Sequence, residues 1–99
     1  MQSYYAASFD REMGCTETEW LSWLPGAVRE HALILGARQA KVDIEAGRLL
    51  LRWQVLSPRQ IALVRLPRLA VQFSFDGVDE AARQRFMRSF DLHMQRGGG

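Results

Sequence analysis

Cysteine is almost absent from this chain. Cys15 is the only one among 99 residues, so neither an internal disulfide nor a multi-thiolate zinc site can form. A lone thiol suits a reducing compartment. No apolar run approaches the roughly 20 residues that a bilayer-spanning helix requires. The N-terminus, Met1-Gln2-Ser3-Tyr4-Tyr5, lacks the basic patch and apolar stretch that open a secretory leader. These absences predict a soluble, cytoplasmic chain with no membrane partner. The glycines lie in isolated turns and a terminal run, with no Gly-x-Gly-x-x-Gly or Walker pattern to cradle phosphate. The two histidines, His31 and His93, share no helical metal-ligand spacing. The acids are scattered. Asp43 and Glu45 share one strand face, and nothing sets them in the unequal environments that acid–base pairs need. No cofactor, metal or catalytic set is therefore expected.

What remains is an ordinary globular composition, 47% apolar and 24% charged, which argues against disorder. A chain of this length holds one domain and one core. We assign residues 1–96 to a single α+β domain and 97–99 to a flexible glycine tail.

Alternation and turn residues predict the elements. Tyr4 to Phe9 reads as a first strand and Asp10 to Gly14 as a turn. Thr16-Glu17-Thr18-Glu19 fits a capping box, followed by the apolar face of Trp20, Leu21, Trp23 and Leu24. Pro25-Gly26 should stop or kink that helix. Residues 27–34 remain open between a second helical turn, a loop and the start of a strand. Ala40, Val42 and Ile44 alternate with Lys41, Asp43 and Glu45 as a half-buried strand. Glu45-Ala46-Gly47 reads as a hairpin turn in which Gly47 is free to take positive φ. Leu49, Leu51, Trp53 and Val55 form the next strand's inner face, with Ser57-Pro58-Arg59-Gln60 as the turn beyond it. Residues 61–75 form either one strand bent at Pro67 or two strands meeting there. Asp79 caps a last helix over about 79–96, with Ala82, Phe86, Phe90, His93 and Met94 inward. Arg85, Arg88, Gln84 and Gln95 lie on its wet side. The expected fold is an antiparallel sheet of four to five strands packed against two helices, in the order β-α-β-β-β(-β)-α.

Charge is distributed unevenly. Residues 1–47 hold four basic and seven acidic side chains, whereas residues 48–99 hold nine and four. Arg48, Arg52, Arg59, Arg65 and Arg68 follow one another with no acid between them. They are the candidate anion-binding residues, and nucleic acid is the partner they would suit. Large aromatics are plentiful. Most must fill the core, but Trp53, Phe73, Phe86 and Phe90 are placed to line a pocket for a small apolar ligand between sheet and last helix. Tyr4, Leu50 and Leu56 fall on the nominally wet face and suit a protein partner or self-association. An enzyme using Cys15 or a histidine is the third reading. Cys15 precedes the helix N-terminus, which favours a thiolate, while Glu17 and Glu19 oppose one. The leading expectation is a small non-enzymatic binding or interaction domain.

The runs Glu19-Trp20-Leu21-Ser22-Trp23-Leu24-Pro25-Gly26-Ala27, Leu66-Pro67-Arg68-Leu69-Ala70-Val71 and Phe90-Asp91-Leu92-His93-Met94-Gln95-Arg96-Gly97-Gly98 resemble those of a family of short uncharacterised bacterial proteins. The resemblance covers nearly the whole chain. It implies no activity and no site residues. The order of elements also loosely resembles a helix-grip ligand-binding domain, by analogy only, since that fold normally has more strands.

Overall fold

Alternation along the strands fixes which side chains the helices cover. The computed structural model describes residues 4–96, so the expected glycine tail, 97–99, lies outside the described residues. The elements are β1 (Ser8–Met13), α1 (Glu17–Val28), β2 (Leu33–Gly36), β3 (Gln39–Ile44), β4 (Gly47–Ile61), β5 (Val64–Asp76) and α2 (Glu80–Gln95). The five strands form one antiparallel sheet in the order β1-β5-β4-β3-β2. The fold is α+β.

Val42, Leu49, Leu51, Trp53, Leu69, Val71 and Phe73 point to one side of the sheet and are buried there with Trp20, Leu24, Phe86, Met87 and Phe90 of the helices. The opposite parity, with Asp10, Gln39, Arg52 and Gln72 in one cross-strand row, faces solvent.

β1 lies later than alternation suggested. Residues 10–13 extend the strand instead of turning, with Phe9, Arg11 and Met13 opposite Phe73, Val71 and Leu69. The charge of Arg11 obscured this. Its guanidinium lies 5.4 Å from the centre of the Phe9 ring and 5.1 Å from that of Phe73, and it meets Asp91 of α2 at 2.5 Å. An inward arginine is tolerated because it has a carboxylate and two ring faces.

The capping box of α1 is formed: the Glu19 N–H donates to Thr16 Oγ1 at 3.1 Å and the Thr16 N–H to Glu19 Oε1 at 2.9 Å. Pro25 does not end the helix, which continues to Val28. Pro25 and Leu21 are both exposed, so the carbonyl left without its donor is on the wet side, while Ala27 and Val28 gain burial from the extra turn. Arg29 then turns the chain with φ 56°, and β2 begins at Leu33.

In the β3–β4 turn the positive φ falls on Glu45, not Gly47. Gly47 is needed for a different reason. A Cβ there would lie 2.3 Å from the backbone carbonyl carbon of Gly77.

The expected turn at residues 57–60 is instead part of β4. A bulge separates the pairs Leu56–Arg68 and Arg59–Leu66, and the chain reverses at Ala62-Leu63, with Ala62 at φ 52°. Ile61 therefore ends β4, and a single strand runs from Val64 to Asp76 through Pro67.

Asp79 caps α2, accepting from the Ala82 N–H at 2.8 Å. Gln84 is buried rather than wet. Its amide accepts from the Tyr5 N–H at 2.9 Å and donates to the Tyr5 carbonyl at 2.7 Å, and Arg83 Nε donates to the same carbonyl at 2.9 Å. Two polar residues are buried because they satisfy a peptide unit that no strand pairs.

Candidate functional site

The sheet is uneven in length. β3 pairs β4 only from Gly47 to Arg52, and β1 pairs β5 only from Leu69 to Ser74. Beyond these limits β4 and β5 have only each other, and residues 55–66 project as a two-stranded arm from a molecule 47 Å in its longest extent. Isolated ribbons of this kind bury little on their own.

The arm is also where apolar surface collects. Of ten exposed large hydrophobic side chains among the described residues, five belong to it: Val55, Ile61, Leu63, Val64 and Leu66. Leu63, at the tip, is 97% exposed. The register groups them further. Leu56 pairs with Arg68, Arg59 with Leu66 and Ile61 with Val64, and alternation puts these six on the face turned away from the helices. Val55, Gln60 and Arg65 take the other face.

Glu12 of β1 braces the base of the arm. Its carboxylate accepts from Arg68 at 2.9 Å and lies 3.8 Å from Arg59. The hydrogen bond from Arg68 holds this carboxyl below its ordinary pKa, against the small effect of burial. Arg68 also donates to the Ser57 carbonyl at 3.2 Å.

The five sequence-selected arginines do not gather on one surface. Arg48 lies opposite Asp43 and Asp76, and Arg52 opposite Gln39 and Gln72, on the open face of the sheet. Arg59 and Arg68 share Glu12. Arg65 lies on the reverse of the arm, opposite Gln60. A shallow groove of about 350 Å³ beside Arg52 is bounded by Asp10, Gln54 and Gln72.

Trp53, Phe73, Phe86 and Phe90 all belong to the core. Phe90 stands 5.6 Å from Phe73 and 5.9 Å from Phe86, centre to centre, and Trp53 stands 5.6 Å from Trp20. Trp53 Nε1 donates to Glu17 at 2.7 Å, tying α1 to the sheet. Phe86 alone of the four reaches the open cavity of about 470 Å³ near the end of α1, beside His31, Arg29 and Arg85. His31 Nδ1 is 2.8 Å from the Val28 carbonyl, and its ring stands edge-on to Phe86. His93 abuts Gly26, where a Cβ would lie 2.7 Å from its Cε1, and the two histidines serve different contacts. Cys15 is buried, and burial together with Glu19 pushes its thiol pKa up, away from the thiolate. Among the described residues no three His, Cys, Asp or Glu side chains are placed to hold a metal ion. No helix among them is long and apolar enough to cross a membrane.

Sequence reasoning missed the arm and its brace. The signal was present: Ile61, Val64 and Leu66 crowd around a two-residue turn. The prolines on either side drew the turn to the wrong places. It also missed Asp91, which joins Arg11 to the Tyr5 hydroxyl, 2.5 Å away.

Compared with known proteins, the chain matches no family model, no curated protein and no solved structure.

Proposed function

We propose that this is a non-enzymatic protein-interaction domain and that the β4–β5 arm is its contact element. The observation that carries this reading is the concentration of exposed aliphatic side chains on a ribbon that the rest of the sheet does not cover. Clustered apolar surface on a projecting element is costly in water unless a partner covers it. The rest of the molecule agrees. The core aromatics pack on one another, and the lone thiol is buried, as suits a protein kept in a reducing compartment.

A photo-crosslinking residue at position 63 tests the reading in cells that make the protein. The expected result is a discrete adduct that Leu66→Glu abolishes, with none from position 41 on the open sheet face. Equal, diffuse labelling from both positions would defeat it.

A second reading is binding of nucleic acid by the same ribbon. It is favoured by the lack of any carboxylate between Arg48 and Phe75, and a two-stranded ribbon fits the major groove. A labelled DNA duplex titrated at two salt concentrations decides it. Steeply salt-dependent binding that weakens with Arg65→Ala supports this reading, and absence of binding at low salt removes it.

A further inference from the structure

A surface that contacts its own copy about a two-fold axis must complement itself, so it carries both signs of charge or neither. The outward face of the arm meets that condition. Its aliphatic row is Ile61, Val64 and Leu66, and at the base Glu12 sits with Arg59 and Arg68. Glu12 and Arg59 keep 42% and 59% of their side-chain surface exposed, so each retains capacity for a further partner. Of the arm's arginines, Arg65 makes no ion pair among the described residues, and it lies on the reverse side, where it does not repel a second arm. A strongly acidic partner fits this face less well, because Glu12 already answers its arginines.

We infer that the occupant of the arm is a second copy of this chain, with the two ribbons laid antiparallel about a two-fold axis. Ile61, Val64 and Leu66 of each copy pack together, the Leu63 tip of one lies over the base of the other, and Arg59 of each reaches Glu12 of its partner. The inference rests on the arm being a contact element. The other exposed apolar edge, Ile34 and Leu35 on β2, spans only four residues, and short edge strands are a way of discouraging pairing.

Sedimentation velocity of the full chain across the micromolar range tests it. The wild-type protein is expected to dimerise. Leu66→Glu should raise the dissociation constant more than about tenfold, and Ile34→Lys should leave it unchanged, with circular dichroism confirming the fold of each. Glu12→Arg and Arg59→Glu should each weaken the dimer alone, yet form a heterodimer when mixed, which a pairing confined to one chain cannot produce. A wild-type monomer at every concentration overturns the inference, as does a dimer that Ile34→Lys breaks and Leu66→Glu spares. A monomer that still gives a heterologous adduct from position 63 overturns the second copy and leaves the arm reading standing. A monomer with no adduct from that position removes both.

Discussion

Pro58 and Pro67 face each other across the bulge of the β4–β5 ladder, where Ser57 and Pro58 on one strand oppose Pro67 on the other. Neither proline has an N–H to donate, so both sit at the place where the ladder is already interrupted. The interruption lies just beyond the covered part of the sheet, within the arm, where a bulge bends the strand that carries it. Deleting Pro58 leaves Ser57 alone opposite Pro67 and makes the ladder regular. Residual dipolar couplings of the arm amides should then change, while those of β3 stay as they are and the near-ultraviolet dichroism of the core tryptophans is preserved.

Gly47 and Gly77 are in contact through their backbones. Gly47→Ala forces a Cβ into a carbonyl that cannot rotate away, at a cost of about 3 kcal/mol. Gly14→Ala, where nothing lies within 4 Å, is the control and should unfold in urea close to the wild-type midpoint.

Asp91 accepts from both Arg11 and the Tyr5 hydroxyl. Asp91→Asn removes the carboxylate charge that Arg11 meets beside the rings of Phe9 and Phe73, and roughly 2–3 kcal/mol of stability should be lost. Adding Arg11→Met should recover most of it, a coupling that a double-mutant cycle measures.

The Tyr5 phenol is pushed up to about 12, first by burial and then by the hydrogen bond it donates to Asp91. A raised pKa means that the folded state holds this proton after the unfolded state has released it. The contribution is therefore complete below about pH 10, the ordinary tyrosine value, and is lost as pH rises from there towards about 12. Ultraviolet titration should resolve the Tyr5 transition near its raised value, and Tyr5→Phe should flatten the alkaline fall in stability.

Much of the body was legible because its strands are buried on one face and alternate accordingly. Val42, Leu49, Leu51, Val71 and Phe73 announce themselves, as do the Thr16 capping box and the Asp79 cap. The errors fall where a local rule met a tertiary exception. Pro25 reads as a stop, but the helix continues because the turn beyond it buries Ala27 and Val28. Arg11 reads as part of a turn and Gln84 as wet, but Asp91 and the Tyr5 backbone satisfy them inside. The arm was illegible because Pro58 and Pro67 are turn residues by habit and bulge residues here. Of the candidate residues, Arg59 and Arg68 come together only through Glu12, which lies far back in the chain and whose pairing no local pattern announces.

The backbone N–H and carbonyl of Tyr5 are held by Gln84 and Arg83, so the segment leading into β1 is fastened by α2. β1 likewise waits for β5. During synthesis on the ribosome, no growing chain can pair β1 until β5 has emerged, or cover the inner face and fasten Tyr5 until α2 has followed. Until then the Leu69, Val71 and Phe73 face stands open to water and to other chains. Such non-local closure slows folding and leaves apolar surface exposed to aggregation meanwhile. Loss of α2 to a premature stop codon would therefore yield an unfolded chain for proteolysis rather than a smaller domain.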